Sequence, residues 1–214
     1  EPGQFETLEQ AERWLREKHN IKGDFVGASI DTINPTLEQF NRLAQEWPEV
    51  AERLEYIGTR SGSGDPSFSF AWKNSVGAHA TTDGKIIGLN PKHYGVSREE
   101  FERRWSYSAD RGWLAPGSES VKYLITHEYG HQVDNWLRTR RDSFVKMFRK
   151  FVGLDGTGFV EHHTRLWKRN NHPSARFISE YAKTNEEETF AEAFASVYHS
   201  PKPSAPARRM QRFL

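Results

Sequence analysis

Apolar positions follow a period of three to four residues over most of the chain and a period of two over one central block. Thr7-Leu8-Glu9-Gln10 reads as a capping box, and Leu8, Ala11, Trp14 and Leu15 behind it share one helical face. Thr36-Leu37-Glu38-Gln39 repeats the device ahead of Phe40, Leu43, Ala44 and Trp47. Pro48 ends that helix or begins another, in which Val50, Leu54 and Ile57 continue the stripe. These aromatic stripes are expected to be core. Gly58 to Pro66 reads as a loop, and Ser67 to Trp72 alternates as a strand. Gly77–Thr82 and Lys85–Asn90 flank an Asp83-Gly84 turn, which predicts a hairpin, with His79 as a rim residue rather than a ligand. Ser97 caps a helix carrying Phe101 and Trp105, and Arg111 to Gly117 is a loop. Ser118 is expected to cap a long helix that turns Val121, Leu124, Ile125, Val133, Trp136 and Leu137 inward. A helix from about Asp142 to Val152 follows, then a less regular stretch from Gly153 to Asn171. Thr184-Asn185-Glu186-Glu187 opens a last helix to about His199, and Pro201 to Leu214 reads as a loose end or linker stub. The pattern predicts an α+β domain, mostly helical, with a small mixed sheet. Residues 1–117 would form an α/β lobe and 118–214 a helical lobe.

Composition narrows the function classes. Thirty basic residues stand against 29 acidic ones, which leaves no basic footprint for nucleic acid or a membrane surface. No apolar run approaches the ~20 residues that span a bilayer. Without cysteine, disulfides, iron–sulfur clusters and thiolate zinc are excluded, but the compartment is not fixed. The first residue is Glu1 and no signal peptide is visible, so a processed product or an excised domain is expected.

The chemistry concentrates in His127-Glu128-Tyr129-Gly130-His131. On a helix, residues i and i+4 lie about 5–6 Å apart on one face, so two imidazoles can share one zinc. Glu128 follows the first of them, placed to reach a water rather than the metal. At this composition such a match arises by chance roughly 0.04 times. A catalytic zinc needs a third protein ligand. The G-x-x-H continuation fails, because Asp134 and Leu137 stand at its positions. A glutamate from a downstream helix, followed one turn later by an acid that orients a histidine, fits Glu188 and Glu192. Glu186 and Glu187 have no acid four residues on. Glu161, His162 and His163 are the rival source. Asp134, one turn after His131, can accept a ring N–H or be an ordinary polar residue.

Two stretches resemble a gluzincin metallopeptidase of the lethal-factor catalytic-domain and Pro-Pro endopeptidase kind: His127 to Asp134, and Ser179-Glu180-Tyr181 through Phe194. The resemblance implies a zincin-like fold with a rim strand above the active-site helix, and a polypeptide substrate. It implies zinc bound by His127, His131 and Glu188, Glu128 as the base, and a Tyr181 hydroxyl aimed at the oxyanion. It covers about the last 90 residues. The span from His131 to Glu188 is longer than the family pattern, with the excess expected in 153–171, so specificity is not carried over. Similar domains occur in secreted enzymes and within phage structural proteins, and both sources fit. A protease dedicated to one partner and an inactive domain stapled by zinc are the competing readings.

Overall fold

The computed structural model describes residues 4–59, 78–80, 84–139, 178–184 and 186–211. Its described elements are α1 (Leu8–His19), β1 (Lys22–Asp24), α2 (Ile30–Glu46), α3 (Pro48–Ala51), β2 (Tyr56–Gly58), β3 (Ala78–Ala80), β4 (Ile86–Leu89), α4 (Pro91–Tyr94), α5 (Arg98–Asp110), α6 (Val121–Thr139), a 3-10 turn (Tyr181–Lys183), α7 (Glu186–His199) and α8 (Ala205–Gln211). The protein is α+β and mostly helical.

The sheet is mixed, in the order β1-β2-β4-β3. β1, β2 and β4 run parallel, with Gly23 opposite Ile57 and Ile57 opposite Ile87. β3 is the last strand among the described residues and runs antiparallel to β4, with His79 opposite Gly88, as the hairpin pattern predicts. Of the turn, only Gly84 is among the described residues, at φ +79, a conformation that favours glycine. The parallel pair β1–β2 is joined through α2 and α3, the crossover that parallel strands require.

Several boundaries differ from the sequence expectation. Helix α2 starts at Ile30 under a Ser29 cap and continues through Pro35. Thr36 is therefore interior, its hydroxyl donating to the Thr32 carbonyl at 2.7 Å, and is no cap. Burial of Ile33 together with Leu37 and Phe40 extends the helix across the proline. The stripe after Pro48 does not stay helical: α3 ends at Ala51, and Ile57 lies in β2, buried between β1 and β4. Ser118 lies ahead of α6, its hydroxyl buried without a hydrogen-bond partner among the described residues. Ser120 accepts from the Lys122 amide at 3.2 Å instead. The tail is no loose end, because Ala205–Gln211 is helical and buries Ala207 and Met210. Proline is tolerated there because Pro206 sits in the first turn. The expected strand at 67–72, the helix at 142–152 and Glu161, His162 and His163 lie outside the described residues.

One hydrophobic core runs from Ala11 to Met210, and α6 passes through its middle. It packs against α2, α3, α5, α7 and β3, which makes it the common wall of every layer around the motif. Among the described residues no helix is long and apolar enough to cross a membrane.

Candidate metal centre

Helix α6 supplies His127, Glu128 and His131, and α7 supplies Glu188 and Glu192. The two helices approach closely at Gly130. A Cβ there would stand 3.1 Å from the Ala191 Cα and 3.2 Å from the Phe194 Cβ. The missing side chain thus lets one helix backbone rest on the other, which carries Glu188 across to the histidines.

His127 Nε2 lies 3.0 Å from Glu188 Oε2, His131 Nε2 lies 3.5 Å from the same oxygen, and the two ring nitrogens are 3.2 Å apart. Ligand atoms held about 2.0–2.1 Å from a tetrahedral zinc are separated by about 3.3 Å. The triangle fits a small divalent cation without rearrangement. Among the described residues, these three side chains form the one such group. His127 is buried, whereas His131 and Glu188 are half-buried, so the triangle opens on one side.

Glu192, one turn past Glu188, fixes the inner histidine. Its carboxylate is fully buried yet receives four donors. Tyr123 Oη donates to Oε1 at 2.8 Å, and His127 Nδ1 lies 3.0 Å from the same oxygen. The Ala115 amide donates to Oε2 at 3.2 Å, and Ser179 Oγ at 2.7 Å. Nδ1 therefore carries a proton and Nε2 turns toward the triangle, the usual way an outer carboxylate sets a ligand tautomer. Burial opposes charge on His127, but Glu188 and Glu192 outweigh it and raise its pKa well above the ordinary histidine value. Burial likewise opposes charge on Glu188, but His127 and His131 pull it well below the carboxylate range. The centre favours a cation, so a divalent metal would have to compete with a proton for the same nitrogens.

Asp134 is buried one turn after His131. The acid bonded to the His127 ring is Glu192. Glu128 is buried and lines a cavity together with His127 and Tyr181. The Tyr181 ring centroid lies 6.0 Å from that of His127. Burial, reinforced by the carboxylates of Glu188 and Glu128, pushes the Tyr181 phenol far above its ordinary pKa and keeps it a donor. Its backbone is held by the 111–117 loop: Tyr181 N donates to the Trp113 carbonyl and Glu180 N to the Gly112 carbonyl, each at 2.9 Å.

Three contributors were not singled out from the sequence. Tyr123 precedes His127 by four residues on the same face, a spacing that could have flagged it. Ser179 opens the Tyr181 stretch, but nothing in its residue type marks it. Ala115 contributes only its backbone amide, which no side-chain pattern reveals. Comparison with protein-family models, curated proteins and solved structures gave no match.

Proposed function

We propose that this chain is a zinc-dependent endopeptidase of the gluzincin type, with a zincin-like fold and a polypeptide substrate. The observation that carries the reading is the triangle of His127, His131 and Glu188 with Glu128 buried beside it. Two neutral imidazoles and one carboxylate are a donor set that zinc accepts while keeping a position open. Zinc bound there would supply Lewis acidity to a peptide carbonyl and bring the pKa of water toward ~7.

The remaining steps belong to the chain's own groups. Glu128 takes the proton of the attacking water and delivers it to the leaving nitrogen. Tyr181, kept protonated, donates to the oxygen on which negative charge develops, a contact worth roughly 3 kcal/mol in comparable sites. Glu192 holds His127 in one tautomer throughout. β3 ends the sheet among the described residues and packs on α6, so an extended peptide can join it by strand addition.

The test is Glu128→Gln. It should bind zinc at wild-type stoichiometry and melt with the wild type, while cleavage of a broad peptide library falls by about 10²–10⁴-fold. Undiminished cleavage in this variant would remove Glu128 from the role of base. A wild-type protein that binds zinc but cuts no member of the library would instead favour a zinc that only staples α6 to α7.

A further inference from the structure

We propose that the cavity between α5 and α6 is a side-chain pocket for a substrate glutamate next to the scissile bond, with Arg104 reading its head group. This rests on the peptidase reading above.

The cavity encloses about 340 Å³. From α6 it is lined by Glu128 and, one turn earlier, Leu124, so it begins at the residue assigned to proton transfer. From α5 it is lined by Arg104, Trp105 and Ser108, which share one face of that helix. That volume spans the whole cavity, His127, Glu128 and Tyr181 included, so the chemistry of the α5 lining, not size, is what selects. Leu124, Leu114 and Trp105 offer apolar contact to a methylene stem.

The α5 side then meets the tip with a cation and a hydroxyl. Its carboxylate, Glu100, is shared: Arg103 binds it through Nε and Nη2, each at 2.8 Å, and Arg104 through Nε at 2.7 Å. One acid facing two guanidiniums leaves a surplus of positive charge. Arg104 Nη1 reaches the Lys92 carbonyl at 3.3 Å, and among the described residues no acceptor is bonded to its Nη2. Its side chain is 42% exposed, so the head group can turn toward an incoming acceptor. His93, tilted over Trp105 at 5.6 Å, is never an anion. Among the described lining residues the acids come from α6 and α7: Glu128, committed to the reaction, and Glu192, both of whose oxygens already hold donors.

A lysine or arginine in the pocket would place like charge against Arg104 in a partly desolvated space. A purely apolar side chain would cover Arg104 without giving it an acceptor. Glutamate supplies both stem and acceptor. Glutamine, with the same stem and a neutral carbonyl, ranks second.

The experiment is cleavage profiling of the zinc-loaded protein on peptides varied at both positions flanking the bond. Glutamate should exceed lysine at one of them by about fivefold, the upper size of a contact to a partly exposed arginine. Arg104→Glu should invert that ratio, and Arg104→Met should level it. Ser108→Trp, which fills the pocket, should lose cleavage of glutamate peptides while glycine peptides are still cut. Binding of uncleaved peptides to Glu128→Gln, followed by tryptophan fluorescence, should show the same glutamate preference without turnover. Cleavage with no glutamate preference, or an unchanged profile in Arg104→Glu, would overturn the pocket and leave the peptidase standing. Zinc-loaded protein that cuts nothing overturns the peptidase reading and the pocket with it.

Discussion

The face of α6 turned toward α7 and the face turned toward α5 differ in how much bonding capacity they leave unused. Toward α7, the Glu192 carboxylate takes four donors, and Gly130 admits the Ala191 backbone to contact distance. Toward α5, Glu100 is shared between two exposed arginines, and Arg104, Trp105 and Ser108 line a cavity of about 340 Å³ instead of packing flush. A buried carboxylate must be fully bonded, because each unmet bond inside costs about 1–3 kcal/mol. Surface ion pairs are worth only about 0–1 kcal/mol and can exchange partners. The saturated face can fix ring and carboxylate positions for a metal, and the unsaturated face can answer to what arrives.

If that contrast is right, damage on the two faces should read out differently. The largest effect is expected from Glu188→Ala. It removes one corner of the triangle but leaves Gly130 and Glu192 in place. Zinc affinity should fall by more than the roughly 10–100-fold that an outer partner carries, and the metal-free protein should also lose stability, because buried His127 loses a charged partner. Zinc content after dialysis against a weak chelator measures it. Full retention would mean that another group supplies the third ligand.

Glu192→Gln should follow. The amide can serve the two donors on one oxygen, but its NH₂ meets two more donors where an acceptor stood. A drop of about 10–100-fold in zinc affinity is expected, with His127 no longer held in one tautomer. Gly130→Val then tests the close approach alone. Its branched side chain would meet the Ala191 Cα and the Phe194 Cβ, so overpacking of about 1–3 kcal/mol is expected, with weakened zinc binding as α7 shifts. Ser108→Val places the same side chain on the α5 face, though it adds one heavy atom there against three at Gly130, and should leave both stability, within about 0.5 kcal/mol, and zinc content unchanged. Equal damage from the two valines would erase the contrast.

What could be read ahead of the structure divides along the same line. The His127–His131 and Glu188–Glu192 pairs follow from i,i+4 geometry, a spacing that a shared metal site and its supporting acid would require. Gly130 appeared only as a residue inside the motif, because its use is to be absent where Ala191 passes. β1 and β2 gave no alternation to detect, since each is three residues long and Tyr56, Ile57 and Gly58 are all buried. Tertiary packing carried α2 through Pro35, an outcome that local propensity argues against, whereas in 205–211 the prolines at 203 and 206 mask a run of good helix formers, Ala207 to Gln211.

The smallest effect expected belongs to His199, at the far end of the α6–α7 contact, where its Nε2 lies 2.7 Å from Thr126 Oγ1. Burial first, then Arg42 and Lys122, lower its pKa to about 4. A histidine depressed on folding binds more protons unfolded, so its contribution is complete above the unfolded value near 6.5. It is lost as pH falls through that value toward about 4. The ring is half-buried, so the loss should be of order 1–2 kcal/mol. With chelator present, so that metal release plays no part, wild type should lose more melting temperature between pH 7 and pH 4 than His199→Gln does. Parallel curves would show that the ring is already charged or free to be, and that the saturated face ends before it reaches the last turn of α7.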